Sequence, residues 1–260
     1  MTMELQLETN AHITWCPGCT NAQLLVAFRE ALTELVLGGT VAKENVVAVA
    51  GIGCHGKITD YLQMNTYTSL HGRVVPALEG IKLGNPALTV IGFEGDGDAY
   101  AEGIAHLIHA ARRNNDINLF VHNNMVFALT ASQATPTSPK GFKGRSSAPE
   151  GNVEEPLDPL LLMLAAGATF VARTYVGDIA RTKEVMKAAI AHKGFSFVDI
   201  IQPCITFLDT RDSYRSRITW VEAPAADFPG ALRLMAPTGD TVPCGVFYQV
   251  QRPTLDEMLS

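Results

Sequence analysis

Short apolar runs and amphipathic stretches alternate along this chain. Val46–Ala50, Leu88–Phe93, Ile117–His122 and Phe195–Ile201 are rich in branched and aromatic residues and bounded by turn formers, the pattern of buried strands. Between them, Ala99–Asn114 places Ile104, Leu107, Ile108 and Ala111 on one face of a helix. Asn21–Leu37 predicts another helix, stopped by Gly38-Gly39, and Asp178–His192 a third with Asp178 as its N-cap. Strands alternating with helices predict an α/β fold, a mostly parallel sheet flanked by helices. Ligands of such sheets sit beyond the carboxyl ends of the strands. The informative loops are therefore those after Ala50, Phe93, His122 and Ile201.

Composition narrows the class. Of 260 residues, 47% are hydrophobic and only 18% charged, which suits one well-filled core with part of the surface covered by partner chains. A net charge of −6 speaks against the clustered basic face of a nucleic-acid binder. No export signal opens the chain. Its longest apolar stretch, Leu160 to Ala172, contains Gly167 and falls short of the ~20 residues of a membrane helix. A cytoplasmic protein with no membrane contact is expected. Residues 131–156, rich in Ser, Thr, Pro, Gly and Lys, predict a mobile or partner-binding loop. The Pro-rich segment after Trp220 predicts no element.

The loop after the second strand reads Gly92-Phe93-Glu94-Gly95-Asp96-Gly97-Asp98 and opens a helix. Its glycines let backbone approach a phosphate, and the helix start supplies free N–H groups. Asp96 beside a diphosphate would be repulsive without a cation between them, and Mg²⁺ takes oxygen ligands from protein and phosphate together. The next strand ends in Asn123-Asn124. One strand-helix-strand unit would bring the Asn124 side-chain oxygen to the same cation, with the Val126 carbonyl completing the protein ligands. Either motif alone reads as a turn; their joint occurrence favours a site. Gly-Asp-Gly followed by Asn-Asn at this spacing resembles the thiamine-diphosphate enzymes.

Five cysteines without an export signal do not read as a disulfide framework. Cys16-Pro17-Gly18-Cys19 precedes a helix, Cys54 follows the first strand and Cys204 follows the last. Together they offer four thiolates, enough for a tetrahedral zinc or a 4Fe-4S cluster. Cys244 stands in no such setting and reads as a buried or partner-facing structural cysteine.

With these motifs the chain resembles the beta subunit of the 2-oxoacid:ferredoxin oxidoreductases. Cys-Pro-Gly-Cys at 16–19, Gly-Ile-Gly-Cys at 51–54, His-Gly-Arg at 71–73, Gly-Ile-Lys-Leu-Gly-Asn-Pro at 80–86, Gly-Asp-Gly-Asp at 95–98, Asn-Asn at 123–124 and Pro-Cys at 203–204 follow the family's order. The resemblance implies one thiamine-diphosphate-binding domain over residues 1–260. It implies Asp96, Asn124 and Val126 on Mg²⁺, and Cys16, Cys19, Cys54 and Cys204 on a 4Fe-4S cluster. Coenzyme contacts would come from Ile52, Gly53, Cys54, His55, Gly95, Gly97, Asp98, Ala128 and Leu129. His55, Lys57, His71 and Arg73 are candidate catalytic residues at the mouth of the site. Ala131 stands where some members carry a lysine associated with coenzyme A.

The implied reaction is oxidative decarboxylation of a 2-oxoacid (pyruvate, 2-oxoglutarate or a branched-chain acid) to acyl-CoA and CO₂, with electrons leaving through the cluster to ferredoxin. No residue here stands out as the carboxylate that activates the coenzyme's aminopyrimidine. In the family it comes from an alpha subunit, so an obligate partner is implied. Two other readings stay open: a thiamine-diphosphate decarboxylase or lyase without a redox role, and a scaffold with a structural zinc.

Overall fold

The structure, a computed structural model, describes residues 5–259; the ends of the expected 1–260 unit lie outside them. Eight strands form one sheet in the order β2-β1-β3-β4-β6-β5-β8-β7. They are β1 Val46–Ala50, β2 Asn65–Thr68, β3 Thr89–Gly95, β4 Asn118–Asn123, β5 Phe170–Tyr175, β6 Ser196–Ile201, β7 Ile218–Trp220 and β8 Val242–Gln249. All pairings are parallel except that of β5 with β8. Within the parallel part, β1, β3, β4 and β6 are almost wholly buried, as strands covered on both faces must be.

Helix α1, Asn21–Leu37, and helix α5, Ile179–Ala191, pack together over one face, where Phe28, Phe93 and Phe120 meet edge to face or tilted. The other face carries α2 Val74–Gly84, α3 Ile104–Arg113 and α4 Pro159–Ala166 around Leu78, Leu107, Leu119 and Phe197. Asp178 caps α5 through Arg181 N–H at 3.0 Å, as the sequence suggests.

The expected helix 99–114 is instead two pieces. Gly97–Glu102 is a π-helical turn, and α3 begins only at Ile104. The wide turn follows from its floor: Gly97 lies against the Phe127 ring with no room for a Cβ. Such turns concentrate at functional sites. The tail after Trp220, unpatterned in sequence, supplies α7 Phe228–Met235, β8 and the short α8 Leu255–Leu259. A further short helix, α6 Arg211–Arg215, precedes β7. Among the described residues no helix is long and apolar enough to cross a membrane.

Residues 131–156 hold neither helix nor strand. Their first part is nonetheless anchored inside the molecule, with Thr135, Thr137 and Ser138 buried, while Lys140 and Glu155 pair on the surface.

Candidate functional site

Parallel register brings the carboxyl ends of β1, β3, β4 and β6 side by side, and the loops that leave them build two adjoining cavities. The first, about 70 Å³, is walled by Gly53–His55, His71, Gly95–Asp98, Asn124 and Val126–Thr130. Asp96 leaves the end of β3 and Asn124 the end of β4, and these strands are direct neighbours. The two side chains therefore face one space, as their spacing predicts.

Asp96 is buried, with its Oδ2 accepting the Thr137 hydroxyl at 2.8 Å. Burial pushes its carboxyl up to about 6, against hydrogen bonds from Thr135, Thr137 and backbone amides. Asn124 Oδ1 accepts the Val126 N–H at 3.0 Å across Met125, which sits at φ 60°. This tight turn fixes the Asn124 oxygen and leaves the Val126 carbonyl without a backbone hydrogen bond among the described residues. A carboxylate, an amide oxygen and a carbonyl are the hard oxygen donors that Mg²⁺ takes.

Asp98 organises the mouth. Its Oδ2 lies 3.0 Å from His55 Nε2, its Oδ1 lies 3.2 Å from His71 Nδ1, and Oδ1 also accepts the Gly72 N–H. Gly51 is required beside it, because a Cβ there would collide with the Asp98 carboxylate. His55 is buried, whereas His71 is 36% exposed and reaches solvent at the opening. Ile52 and Leu129 stand exposed at the rim.

Two expected mouth residues stand elsewhere. Lys57 lies on the second cavity, its Nζ donating to the Thr14 carbonyl at 2.9 Å. Arg73 turns away from the cavity and donates to the carbonyls of Gly72 and Glu102. Sequence proximity to a motif did not fix where these long side chains point.

The second cavity, about 160 Å³, has Cys16, Cys19, Cys54 and Cys204 on one wall system with Trp15 and Phe207. The loops that carry them are tied together. Trp15 Nε1 donates to the Cys54 carbonyl at 2.6 Å, Thr20 Oγ1 to the Pro203 carbonyl at 2.8 Å, and Gln202 Nε2 to Thr20 Oγ1 at 2.5 Å. Burial and neighbouring thiols push Cys54 up to about 11. Cys19 is raised by burial, opposed by the Asn21 N–H groups that face its sulfur. Among the described residues no three His, Cys, Asp or Glu side chains are grouped tightly enough for a single metal ion. Cys244 is fully buried, away from this cavity.

Several residues of the site carried no spacing signal. Thr137 comes from an irregular, Thr- and Ser-rich segment. Glu94 and Asp199 were visible as charges inside apolar runs. Burial and the neighbouring Asp98 hold Glu94 well above the usual carboxylate range; the Val74 amide opposes this, yet neither carboxyl oxygen completes a hydrogen bond. His122, on β4, is buried with Nδ1 at 2.7 Å from Asn21 Oδ1.

Comparison with known proteins agrees with this geometry. A family model described as thiamine pyrophosphate enzyme, C-terminal TPP binding domain, matches residues 51–200, and one for the C-terminal part of the pyruvate ferredoxin oxidoreductase beta subunit matches residues 204–260. The chain is 40% identical over 252 residues to a 2-oxoacid:ferredoxin oxidoreductase subunit beta of Saccharolobus solfataricus, covering 90% of this chain and 81% of that one. It is 42% identical over 192 residues to the 2-oxoglutarate synthase subunit KorB of Archaeoglobus fulgidus, covering 74% and 70%. A solved 2-oxoglutarate:ferredoxin oxidoreductase from Magnetococcus marinus, with 2-oxoglutarate, coenzyme A and succinyl-CoA bound, superposes with a TM-score of 0.93 at 32% identity over 99% of this chain and 90% of that one. The chain therefore has the thiamine-diphosphate-binding fold, and it belongs to the beta subunits of the 2-oxoacid:ferredoxin oxidoreductase family.

Proposed function

We propose that this chain carries the coenzyme, Mg²⁺ and a 4Fe-4S cluster for oxidative decarboxylation of a 2-oxoacid to acyl-CoA and CO₂, with ferredoxin as electron acceptor. One observation supports this above the rest: Cys54, Asn124, Ala128 and Leu129 lie on the walls of both cavities. A redox centre held by the four thiols would thus sit next to the coenzyme it drains. The donors also sort by chemistry, with Asp96 in the first cavity alone and Cys16, Cys19 and Cys204 in the second alone.

Thiamine diphosphate, when bound, supplies the carbon nucleophile and electron sink for decarboxylation, Mg²⁺ neutralises its diphosphate, and the cluster takes up electrons. The chain's own residues bind and orient. The missing side chains of Gly95 and Gly97 let the His55 and Phe127 rings pack directly against the loop backbone and hold its shape. Asp98 fixes His55 by a hydrogen bond and lies 3.2 Å from His71, and the part-exposed His71 is the group to receive a substrate carboxylate. Leu129 and Ile52, exposed at the rim, would present apolar surface to the bound coenzyme and exclude water. Lys57, on the wall of the cysteine cavity with its Nζ bonded to the Thr14 carbonyl, would serve the cysteines rather than the substrate. Arg73 braces the turn that carries His71.

An alpha subunit would cover the exposed rim and supply the remaining groups of the site, with residues 131–156 contributing to that contact. Residues 1–260 would act as one unit in the cytoplasm, where reduced thiols persist. Relatives named for 2-oxoglutarate make that acid the first substrate to test, before pyruvate and branched-chain acids. The decarboxylase or lyase reading without a redox role leaves four tethered cysteines without a purpose.

The test is anaerobic purification of the native complex. Expected are iron and acid-labile sulfide in equal amounts, Mg²⁺-dependent coenzyme binding, and 2-oxoacid- and CoA-dependent reduction of ferredoxin. A colourless, iron-free complex that still decarboxylates would favour the lyase reading.

A further inference from the structure

The strongest unassigned contact is that of Thr137 on Asp96, and the role inferred for it rests on the cation site proposed above. Thr137 Oγ1 lies 2.8 Å from Asp96 Oδ2 and 3.0 Å from Asn123 Oδ1. A threonine hydroxyl has one proton, so it serves two acceptors at once. The second acceptor cannot turn away. Asn123 Nδ2 donates to Asp199 Oδ1 at 3.0 Å, and that oxygen also accepts the Tyr100 hydroxyl at 2.8 Å. Asp199 is itself locked by Arg173 Nε, 3.1 Å from its other oxygen. A carboxylate oxygen that already accepts from Tyr100 takes the Asn123 NH₂ as a further donor, which leaves the Asn123 oxygen to Thr137.

Thr137 is equally fixed from its own side. Ser138 Oγ accepts the Thr135 N–H at 2.8 Å and donates to the Met125 carbonyl at 2.6 Å, tying the segment to the turn between Asn124 and Val126. Asp96, Asn123, Thr137 and Asp199 are all buried, so water does not readily replace any of these contacts. The hydroxyl proton therefore competes with a cation for Asp96 Oδ2 and leaves Oδ1 as the oxygen to offer.

We propose that Thr137 is a positioning residue that makes Asp96 a one-oxygen ligand and so sets the preference of this site for Mg²⁺ over Ca²⁺. Mg²⁺ demands a compact octahedron at about 2.0–2.1 Å, met by single oxygens, whereas Ca²⁺ accepts six to eight ligands at about 2.3–2.6 Å and readily takes both oxygens of a carboxylate. Removing the hydroxyl frees Oδ2, loosens the carboxylate and admits the larger ion.

The experiment is calorimetric titration of thiamine diphosphate into the purified complex, stripped of coenzyme and divalent ions, at saturating Mg²⁺ or Ca²⁺. In Thr137→Val, Mg²⁺-supported affinity is expected to fall about 10- to 100-fold, the usual effect of losing a partner of a metal ligand. Ca²⁺-supported affinity should hold or rise, so the Mg²⁺/Ca²⁺ preference drops at least about tenfold. Thr137→Ser keeps the hydroxyl and should restore the preference. Should the valine variant not assemble, Thr137→Ala carries the same expectation. An unchanged Mg²⁺/Ca²⁺ preference in the variants lacking the hydroxyl, with or without weaker binding overall, would overturn the proposal and leave Thr137 as a loop anchor. Failure of Ser to restore it would do the same. Coenzyme binding by the unmodified complex that ignores divalent ions would instead remove the cation site itself.

Discussion

The two adjoining cavities are built on opposite physical plans. Around Asp96 and Asp98 both carboxylates have partners before any ligand arrives: Thr137 donates to one, and His55 and the Gly72 amide bind the other, with His71 Nδ1 3.2 Å away. Around the cysteines the walls are largely apolar, and the thiols of Cys19 and Cys54 are raised by burial and by neighbouring thiols. The first cavity is preorganised by hydrogen bonds, which would keep the geometry of a small ion narrow. The second gathers thiols, and burial disfavours the thiolates of Cys19 and Cys54 unless a metal centre binds them. Preorganisation thus tracks the ligand: a hard ion needs fixed oxygens, whereas a cluster deprotonates and orders its own sulfurs.

Substitutions that hit one cavity and spare the other sharpen this contrast, and any that empties both breaks it. The largest effect is expected from Cys204→Ser, which should abolish iron incorporation and ferredoxin reduction while thiamine diphosphate still binds with Mg²⁺; iron analysis beside calorimetry checks it. Asp96→Ala should lower Mg²⁺-supported coenzyme affinity by more than about 100-fold, since even outer partners of metal ligands are worth about 10- to 100-fold. Its iron content should stay unchanged.

The smallest effect concerns Glu94, the buried carboxyl beside Asp98. Its folded-state pKa is raised above the usual value of 4.5, so its contribution to stability is intact below that pH and is lost as pH rises through the folded value. Glu94→Gln removes the ionisation. Thermal unfolding should show the variant more stable than the parent at pH 8, by on the order of 1 kcal/mol or about 2–4 °C for a domain of this size. The two should coincide near pH 4.5. An equal gain at both pH values would mean that repacking, and not charge, is responsible.

Much of the parallel sheet was legible along the chain. β1 and α1 stand where their patterns put them, and α5 keeps its Asp178 cap, because buried strands and capped amphipathic helices declare themselves locally. The antiparallel β8 and helix α7 did not: Pro-rich, mixed sequence there becomes strand through pairing with β5, a partner far off in the chain. The break at Gly97–Glu102 was also hidden, since the helical stripe of residues 104–111 says nothing of the Phe127 ring that presses on the turn before it.

The same division holds for the site. Residue type and order alone picked out the candidate donors: Asp96 and Asn124 on neighbouring loops, and four cysteines on three loops. Those choices are chemical, and they appear in the sequence because each donor sits at the end of a regular element. Only the tertiary structure decided the rest: that Cys54 borders both cavities, that Asp98 clamps two histidines, that Lys57 and Arg73 turn elsewhere, and that Thr137 reaches Asp96 from an irregular segment. Those contacts join side chains distant in sequence through burial and hydrogen bonding, and neither leaves a periodic trace along a chain.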